Sequence, residues 1–262
     1  MPEAPVILLS FDVEEFDLPL EYGQLLAEEQ QMAVGKAGLD AIRPILADPQ
    51  VQTTLFTTAH FASQYPGTIQ QLAERHEIAS HTFFHNRFEE AHLLASRQVL
   101  EQISQQPVSG LRMPRMQPVS IRAVAAAGYQ YDASIHPTWI PGRYNNRHLP
   151  RTIYREETTW RLPASVSPGL RIPLFWLSFK NFPFPLYQRI ALQTLRRDGY
   201  LCLYFHPWEF VDIRHFGLPR YVAGPGPDIL LSRMFRFLGE LKKQAVFERS
   251  DRFIQKKEPR LG

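Results

Sequence analysis

The sequence contains a single cysteine, Cys202, among its 262 residues. One cysteine excludes a disulfide within the chain, and this scarcity is typical of proteins from reducing compartments. Cys202 lies inside the apolar run 201–205, whereas a reactive thiol needs an exposed, electropositive setting. We therefore expect Cys202 to be a small core residue on a strand, and we expect neither a disulfide-stapled fold nor cysteine-based catalysis.

Long apolar runs and strong charge are also scarce. No stretch approaches the ~18 uninterrupted apolar residues of a membrane-spanning helix. The chain begins Met-Pro-Glu-Ala-Pro, without the basic and apolar regions of a secretory leader. Its net charge is only +3, and no basic and aromatic recognition module for nucleic acid is found. We expect a cytoplasmic protein without a nucleic-acid partner; peripheral membrane contact and the oligomeric state stay open.

The chain does have the composition of a folded α/β protein. Hydrophobic residues make up 44% and charged residues 21%, and 22 prolines indicate stiffened loops. No linker or repeat divides the chain, so we predict one domain over 1–262. Strand patterns alternate with helix patterns, which indicates a mostly parallel sheet with right-handed crossovers. Strands are predicted at 6–11, 53–58, 77–80, 108–112, 129–135 and 200–205, helices at 34–47, 59–75, 89–105, 119–127, 186–198 and 228–247, and loops with edge strands at 136–173.

Polar side chains suited to catalysis recur where the predicted strands end. In closed α/β barrels the active site lies at the carboxyl ends of the strands, so we expect these side chains to meet. They are Asp12 and Glu14, His81 and His85, Arg112, Asp132, and His206.

The segment His81-Thr-Phe-Phe-His85 places two imidazoles four residues apart. On a helical turn they would share one face and reach one ion, although ordinary helix faces also produce this spacing. Glu14 would supply a carboxylate, with Glu15 as a substitute, and together they would leave a coordination position open for water. The alternative is that the acidic residues between 12 and 17 form a solvated loop.

Five segments, in this order, resemble the motifs of the polysaccharide deacetylases (the NodB homology, carbohydrate esterase 4 group). The resemblance covers about residues 6 to 209 and implies a distorted α/β barrel with about seven parallel strands. The segments are 8–14, the pair His81 and His85, Arg112-Met-Pro114, 131–134 and 203–209.

The resemblance also implies a role for each matching residue. Asp12 would be the general base, Arg112 would orient it, and His206 would be the general acid. The metal ligands would be Glu14, His81 and His85, with zinc as the first expectation and cobalt, nickel or manganese as alternatives. Asp132 would shape the pocket and tune the acid, and Pro114 and Trp208 would contact substrate. Most family members carry adjacent aspartates where this chain has Asp-Val-Glu, which leaves the metal's identity open.

The expected reaction is metal-dependent removal of an acyl group, first of all acetyl, from an amide nitrogen of an amino sugar or related carbohydrate. A free, nucleotide-linked or lipid-linked sugar would be the partner. One alternative is hydrolysis of another non-peptide C–N bond, in a formamide or a cyclic amide or ureide, at the same site. The other is a catalytically inactive carbohydrate-binding domain, although none of the matching residues is missing.

Two further features have more than one interpretation. The aromatic segment 174–187 has basic neighbours, as a membrane-facing surface would. We favour a core strand followed by a loop that packs against the barrel. His136 follows Asp132 by four residues and is a second candidate for the pocket wall.

Overall fold

A computed structural model describes residues 4–257. Residues 1–3, part of the segment expected to lack a leader, lie outside the described residues, as do 258–262. The strands are β1 Val6–Val13, β2 Thr53–Thr57, β3 Glu77–Ser80, β4 Gly110–Leu111, β5 Tyr131–Asp132, β6 Trp139–Ile140, β7 Tyr144–Asn145, β8 Tyr154–Glu156, β9 Thr159–Arg161, β10 Tyr200–Phe205 and β11 Val246–Phe247.

The main sheet has the order β10-β1-β2-β3-β4-β5-β9-β8, and β11 pairs with the start of β1. The first seven strands of that order are parallel, and β8 joins β9 as an antiparallel edge. The sheet curls so far that its two ends lie close together. The backbone N–H of Ser165, four residues after β9, donates to the Cys202 carbonyl in β10 at 2.9 Å. The predicted distorted barrel is confirmed.

The helices pack mainly on the outside of the curled sheet. They are α1 Glu28–Ala41, α2 Arg43–Leu46, α3 Ala59–Gln64, α4 Pro66–Ala73, α5 Ala91–Ser104, α6 Ile121–Ala126, α7 Trp176–Asn181, α8 Phe184–Asp198, α9 Arg220–Ala223, α10 Pro227–Lys242 and α11 Ser250–Gln255. Three 3-10 helices follow strand ends, at Leu18–Tyr22, Pro114–Met116 and Pro207–Phe210. Within residues 4–257, no helix is both long and apolar enough to cross a bilayer.

Three predicted helices differ from the structure. The first begins six residues before the predicted 34, at Glu28, and the second is split because Pro66 starts a new helix. The prediction of one helix over 228–247 is wrong: α10 ends at Lys242, and Val246 then pairs with Val6 as a strand. The apolar residues there do continue a helical pattern, but pairing with β1 overrides it. The stretch 136–173, predicted to be long loops with edge strands, contains the β6–β7 hairpin and the β8–β9 pair.

The barrel has an interior core, which is closed at the amino ends of its strands by α11. Phe253 and Ile254 of α11 are buried against inward-facing residues such as Leu8 and Phe56. Cys202 belongs to this core and burial raises the pKa of its thiol to about 11, so its predicted structural role is confirmed. The carboxyl ends of the strands are left to form the opposite end of the barrel.

Two glycines of α1 bring this helix directly against the loops that follow β1 and β10. A Cβ at Gly35 would lie 2.3 Å from the carbonyl oxygen of Glu14, and one at Gly38 would lie 2.4 Å from the carbonyl carbon of Pro207. Any side chain there would push the helix away. The close approach of α1 therefore fixes the two loops relative to each other.

Candidate active site

A cavity of about 250 Å³ opens at the carboxyl ends of β1, β3 and β10. Its floor is polar and its upper wall is largely apolar. Of the predicted residues, the floor contains Asp12, Glu14, His81, His85, His206 and Trp208. The upper wall comes from the 3-10 helix at 18–22, the β6–β7 hairpin, α7 and α9.

Glu14, His81 and His85 form one compact group. The Oε2 atom of Glu14 lies 3.0 Å from Nε2 of His81 and 3.1 Å from Nε2 of His85. Two ligand atoms of a tetrahedral ion with bonds of about 2.0–2.2 Å are separated by roughly 3.3–3.6 Å, which is close to these distances. All three side chains are buried. Of the two carboxylates considered, it is Glu14 that joins the imidazoles.

Hydrogen bonds on the far side of each ring decide which imidazole nitrogen faces the group. Nδ1 of His81 lies 2.7 Å from the carbonyl oxygen of Arg112, and Nδ1 of His85 lies 2.7 Å from Oδ1 of Asp17. Each Nδ1 therefore carries a hydrogen when its ring is neutral, and each Nε2 presents a lone pair. Oε1 of Glu14 accepts from the indole of Trp208 at 3.0 Å, whereas Oε2 is buried and finds no hydrogen-bond donor among residues 4–257.

Three lone pairs thus converge on one point, which is unfavourable unless a cation or protons lie between them. When no cation is bound, protons lie between the lone pairs instead. Burial by itself would lower the pKa of His85, but the carboxylates of Glu14 and Asp17 raise it to about 9. Burial by itself would raise the pKa of Glu14, but His85, His81 and His206 hold it well below its usual range. Two neutral imidazoles and a carboxylate are the donor set of many catalytic zinc sites, so these residues fit a divalent cation.

The two histidines do not share a helical turn as predicted. Residues 81–85 form an irregular loop, and Thr82 adopts a left-handed conformation with φ of 62°. A β-branched residue rarely adopts this conformation, and here it is held because the Thr82 hydroxyl donates to the Phe84 carbonyl at 2.9 Å. The turn at Thr82, rather than helical periodicity, directs both rings to Glu14.

Asp12 lies beside this group and is held from below by Arg112. Nη1 of Arg112 donates to Oδ1 of Asp12 at 2.5 Å and to the Ser10 hydroxyl at 3.0 Å. The guanidinium is fully buried between the rings of Phe56 and Tyr204, 3.9 and 5.1 Å from their centroids. Asp12 beside it raises the pKa of Arg112, although burial acts in the opposite direction. Arg112 is thus an immobile cation that fixes one carboxylate oxygen.

His206 faces Asp12 across the floor, with 3.8 Å between Nε2 and Oδ2 of the aspartate. Its ring is stacked on Trp208, with centroids 4.6 Å apart and an interplanar angle of 22°. Nδ1 lies 3.2 Å from Oε1 of Glu209. Burial alone would lower the pKa of His206, but Glu209, Glu14 and Asp12 raise it. The ring therefore keeps its second proton to a higher pH than a free imidazole does.

Other predicted residues lie near the cavity without lining it. Within residues 4–257, the cavity wall includes neither Asp132 nor Pro114 nor His136. Asp132 is buried against Ser134 and Arg161, with 2.9 Å between its Oδ2 and the guanidinium. His136 is buried beneath the wall, where its Nδ1 lies 3.0 Å from the hydroxyl of the wall residue Tyr144. The expectation that His136 lines the pocket is wrong.

The acidic segment after β1 is not the solvated loop considered as an alternative. Glu15 and Asp17 are buried, at 5% and 1% exposure. Glu15 turns away from the imidazoles and accepts from the Thr58 hydroxyl at 2.5 Å. Asp17 binds His85 on one oxygen and Arg115 on the other, at 2.9 Å. The density of carboxylates between 12 and 17 was the available signal for Asp17, but its two partners are distant in the sequence.

The aromatic segment 174–187 forms α7 and the start of α8, so the predicted core strand is wrong. Its packing against the barrel is confirmed, because Phe179 and Tyr187 are fully buried beside Phe237. Trp176 at the start of α7 lines the cavity, with its ring centroid 5.2 Å from that of His206. The segment therefore belongs to both the core and the cavity wall.

The chain is similar to one protein family in sequence and to several solved structures in fold. The family model described as polysaccharide deacetylase matches residues 2–131. A Mycobacterium smegmatis protein assigned to the polysaccharide deacetylases has a similar structure, with a TM-score of 0.64 and 16% identity over 98% of this chain and 91% of the other. A Pseudomonas aeruginosa PAO1 protein, also assigned to the polysaccharide deacetylases, has a TM-score of 0.64 and 16% identity over 95% of this chain and 89% of its own. Puue allantoinase has a TM-score of 0.63 and 18% identity over 97% of this chain and 91% of its own.

At these identities the solved structures show the shared fold alone. No curated protein sequence matches the chain. The family match includes Asp12, Glu14, the two histidines and Arg112, and the fold is shared along nearly the whole chain. Over residues 2–131 the chain matches the polysaccharide deacetylase family, a family of hydrolases of non-peptide carbon–nitrogen bonds.

Proposed function

We propose that this protein is a metal-dependent hydrolase that removes an acyl group, first of all acetyl, from an amide nitrogen of an amino sugar or related carbohydrate. The observation that carries the proposal is the convergence of three lone pairs, from Glu14, His81 and His85, next to the pair Asp12 and His206. A ligand set with a base and an acid on either side of an open cavity is what hydrolysis of an amide requires.

Glu14, His81 and His85 would hold the cation, with zinc as the first choice and cobalt, nickel or manganese as alternatives. When bound, the cation would supply Lewis acidity, which lowers the pKa of a water and polarises a carbonyl oxygen. Asp17 and the Arg112 carbonyl fix the orientation of the two rings, and Trp208 fixes the carboxylate. Such outer contacts keep the ligands in place before any ion arrives.

Asp12 would accept a proton from the attacking water, because its outer oxygen faces the cavity while Arg112 holds the other. His206 would donate a proton from Nε2 to the departing nitrogen, which would otherwise leave as an unstable anion. Its Nδ1 would stay bonded to Glu209 throughout. Asp132 and Pro114, which do not line the cavity, would act on the pocket's shape rather than on the substrate.

The cavity favours a small substrate over a long polymer. Its rim is tied together around the 3-10 helix at 18–22. Glu21 binds Arg115 on one side and Arg143 of the β6–β7 hairpin at 2.6 Å on the other, and the Tyr22 hydroxyl lies 3.3 Å from that of Tyr221. A chain of linked sugars needs a groove that is open at both ends. A free, nucleotide-linked or lipid-linked amino sugar, presented end-on, suits this rim better.

The proposal is tested with Asp12→Asn in the metal-loaded protein, using release of acetate from N-acetylated amino sugars. We expect turnover to fall by about 10²–10⁴-fold, the usual contribution of a general base. The metal content should stay at that of the wild type, because Asp12 is not among the proposed ligands. Full activity in Asp12→Asn would overturn the mechanism.

A second C–N hydrolysis, on a formamide or a cyclic amide or ureide, would use the same groups. The fold shared with Puue allantoinase keeps it as the second candidate. A panel of N-acetylated sugars, formamides and allantoin given to the zinc-loaded protein separates the two. A catalytically inactive binding domain would bind sugars and hydrolyse none of the panel.

A further inference from the structure

We propose that Lys180, through Glu209, is a positioning residue for His206. This inference rests on the proposed role of His206 as the general acid. Neither Lys180 nor the bond between Glu209 and His206 is needed to hold a metal. Both lie behind the cavity wall, on the side of the imidazole that faces away from Asp12.

Glu209 makes two contacts with the same histidine. Its Oε1 accepts from the backbone N–H of His206 at 2.7 Å and lies 3.2 Å from Nδ1 of the ring. The first contact anchors the carboxylate, and the second fixes Nδ1 as the protonated nitrogen, which leaves Nε2 pointing to Asp12 and the cavity. When the ring carries both protons, an ionised Glu209 also stabilises its positive charge.

Lys180 is the positive partner of Glu209 in a buried ion pair. Both side chains are fully shielded from solvent, and Nζ of Lys180 lies 3.3 Å from Oε2 of Glu209. A buried carboxylate without a positive partner would take up a proton instead. Burial lowers the pKa of Lys180, and Glu209 acts against that effect. Each charge therefore depends on the other.

The ammonium group is itself held in place from two other parts of the wall. Nζ donates to the carbonyl oxygen of Val222 in α9 at 2.8 Å. It also lies 5.2 and 5.8 Å from the ring centroids of Trp176 and Trp208, which flank His206. The ammonium group of Lys180, in α7, thus contacts both α9 and the Pro207–Phe210 turn.

Stability alone does not account for this arrangement. A buried ion pair is often replaced by well-packed apolar residues without loss of stability, whereas removing one partner leaves an uncompensated charge. A methionine at position 180 and a glutamine at 209 would fill the same space. The role of the pair is therefore to present a charged acceptor to Nδ1 of His206.

The test compares Lys180→Met, Lys180→Arg and the double variant Lys180→Met/Glu209→Gln with the wild type. In Lys180→Met we expect kcat to fall by about 10–100-fold, the usual effect of losing an outer-shell contact, with KM changed by less than about twofold. Lys180→Arg should recover part of the loss. The double variant should regain the thermal stability of the wild type but not its kcat. Lys36→Met, which removes a lysine paired with Asp40 on the surface, is the matched control.

A second readout does not depend on turnover. The hydrogen-bonded Nδ1–H of His206 gives a downfield proton signal in NMR spectra of the zinc-loaded and metal-free protein, assigned by its absence in His206→Gln. We expect Lys180→Met to weaken or abolish it, and Lys36→Met to keep it. If Lys180→Met lowers stability but leaves both this signal and kcat as in the wild type, Lys180 only supports packing and the inference is wrong. A double variant with wild-type kcat would overturn it as well.

The two proposals fail in different ways. If no N-acyl compound is hydrolysed by the wild type, the proposed function fails, and the NMR signal still decides the role of Lys180. If the wild type is active and the signal is insensitive to Lys180, only the inference fails. A Lys180→Met protein that does not fold leaves the double variant and Lys180→Arg to decide it.

Discussion

Each end of the barrel contains a buried glutamate, and the two are surrounded in opposite ways. Glu77, at the amino end of β3, accepts from the hydroxyls of Thr54 and Tyr131 at 2.7 and 2.8 Å and from the backbone N–H of Asp251 at 3.0 Å. Glu14, at the carboxyl end of β1, presents one oxygen to two imidazole nitrogens, and the described part of the chain offers that oxygen no hydrogen-bond donor.

The difference shows what each end is for. Donors surround Glu77 and join it to α11, which closes the barrel. Two acceptor nitrogens face Oε2 of Glu14, and such a group is complete only with a cation or protons. Burial and the neighbouring Asp251 raise the pKa of Glu77 to about 7, whereas the imidazoles hold the pKa of Glu14 well below its usual range. The same residue type therefore serves closure at one end and, under the proposed function, metal ligation at the other.

The largest expected effect is the loss of the metal in His85→Ala. This variant removes one of the three proposed ligands, so we expect bound zinc to fall from about one ion per chain to near zero, measured by elemental analysis. Turnover should fall by more than about a hundredfold, the upper range for outer-shell substitutions alone. Zinc retained at the wild-type level in His85→Ala would show that the three lone pairs are not a metal site.

His148→Ala is the control, because His148 is exposed and lies outside the cavity wall. It should keep both the zinc and the activity of the wild type. The same loss in His148→Ala would indicate unspecific zinc binding by surface histidines.

The second prediction concerns the closed end. Glu77→Ala leaves the Tyr131 hydroxyl and the Asp251 N–H buried without their acceptor, at about 1–3 kcal/mol each, and leaves the Thr54 hydroxyl with only the Ser250 hydroxyl as an acceptor. Because the structure can relax, we expect the free energy of unfolding to fall by roughly 3–5 kcal/mol, measured by urea denaturation of the metal-free protein. The folded fraction should bind zinc as the wild type does. Loss of zinc binding in folded Glu77→Ala would mean that the two ends are coupled.

The sequence predicted the open end better than the closed end. The carboxyl ends of parallel strands meet regardless of the conformation of the loops that follow them. For this reason the cavity is lined, as predicted, by Asp12, Glu14, His81, His85 and His206. The closed end depends on the turn from α10 into β11 and α11, where an apolar pattern at 241–247 fits a helix as well as a strand.

The supporting contacts of the site could not be predicted for a different reason. Lys180 is buried by residues 29 and 42 positions further along the chain, and such distances leave no local pattern. The left-handed turn at Thr82 is also invisible, because threonine has no preference for it. Pairings between distant segments and strained backbone are properties of the assembled fold.

A smaller effect is expected from Trp208→Phe, which keeps the ring beside His206 but removes the indole N–H. Oε1 of Glu14 then loses its donor, and Oε2 is less firmly directed to the imidazoles. We expect zinc affinity to fall by about 10–100-fold, measured by competition with a chelator. An unchanged affinity would mean that the imidazoles alone orient Glu14, and Trp208 would then be tested for its predicted contact with substrate.

The smallest effect in each measured step is the change of stability with pH, which distinguishes the two glutamates. The pKa of Glu77 is raised from its ordinary 4.5 to about 7, so the unfolded chain releases this proton at a lower pH than the folded protein. The stability that Glu77 contributes is thus fully present below pH 4.5 and is lost as the pH rises to 7, by at most about 1.4 kcal/mol per pH unit. Glu14, with its lowered pKa, contributes stability that is lost only as the pH falls below 4.5.

Subtracting the unfolding free energies of Glu77→Gln from those of the wild type, in the absence of metal, cancels the contribution of Glu14 and the histidines. We expect the difference to decline between pH 4.5 and 7 and to be flat above. A flat difference throughout would show that Glu77 is already ionised among its donors, and that both ends of the barrel bury a charged carboxylate.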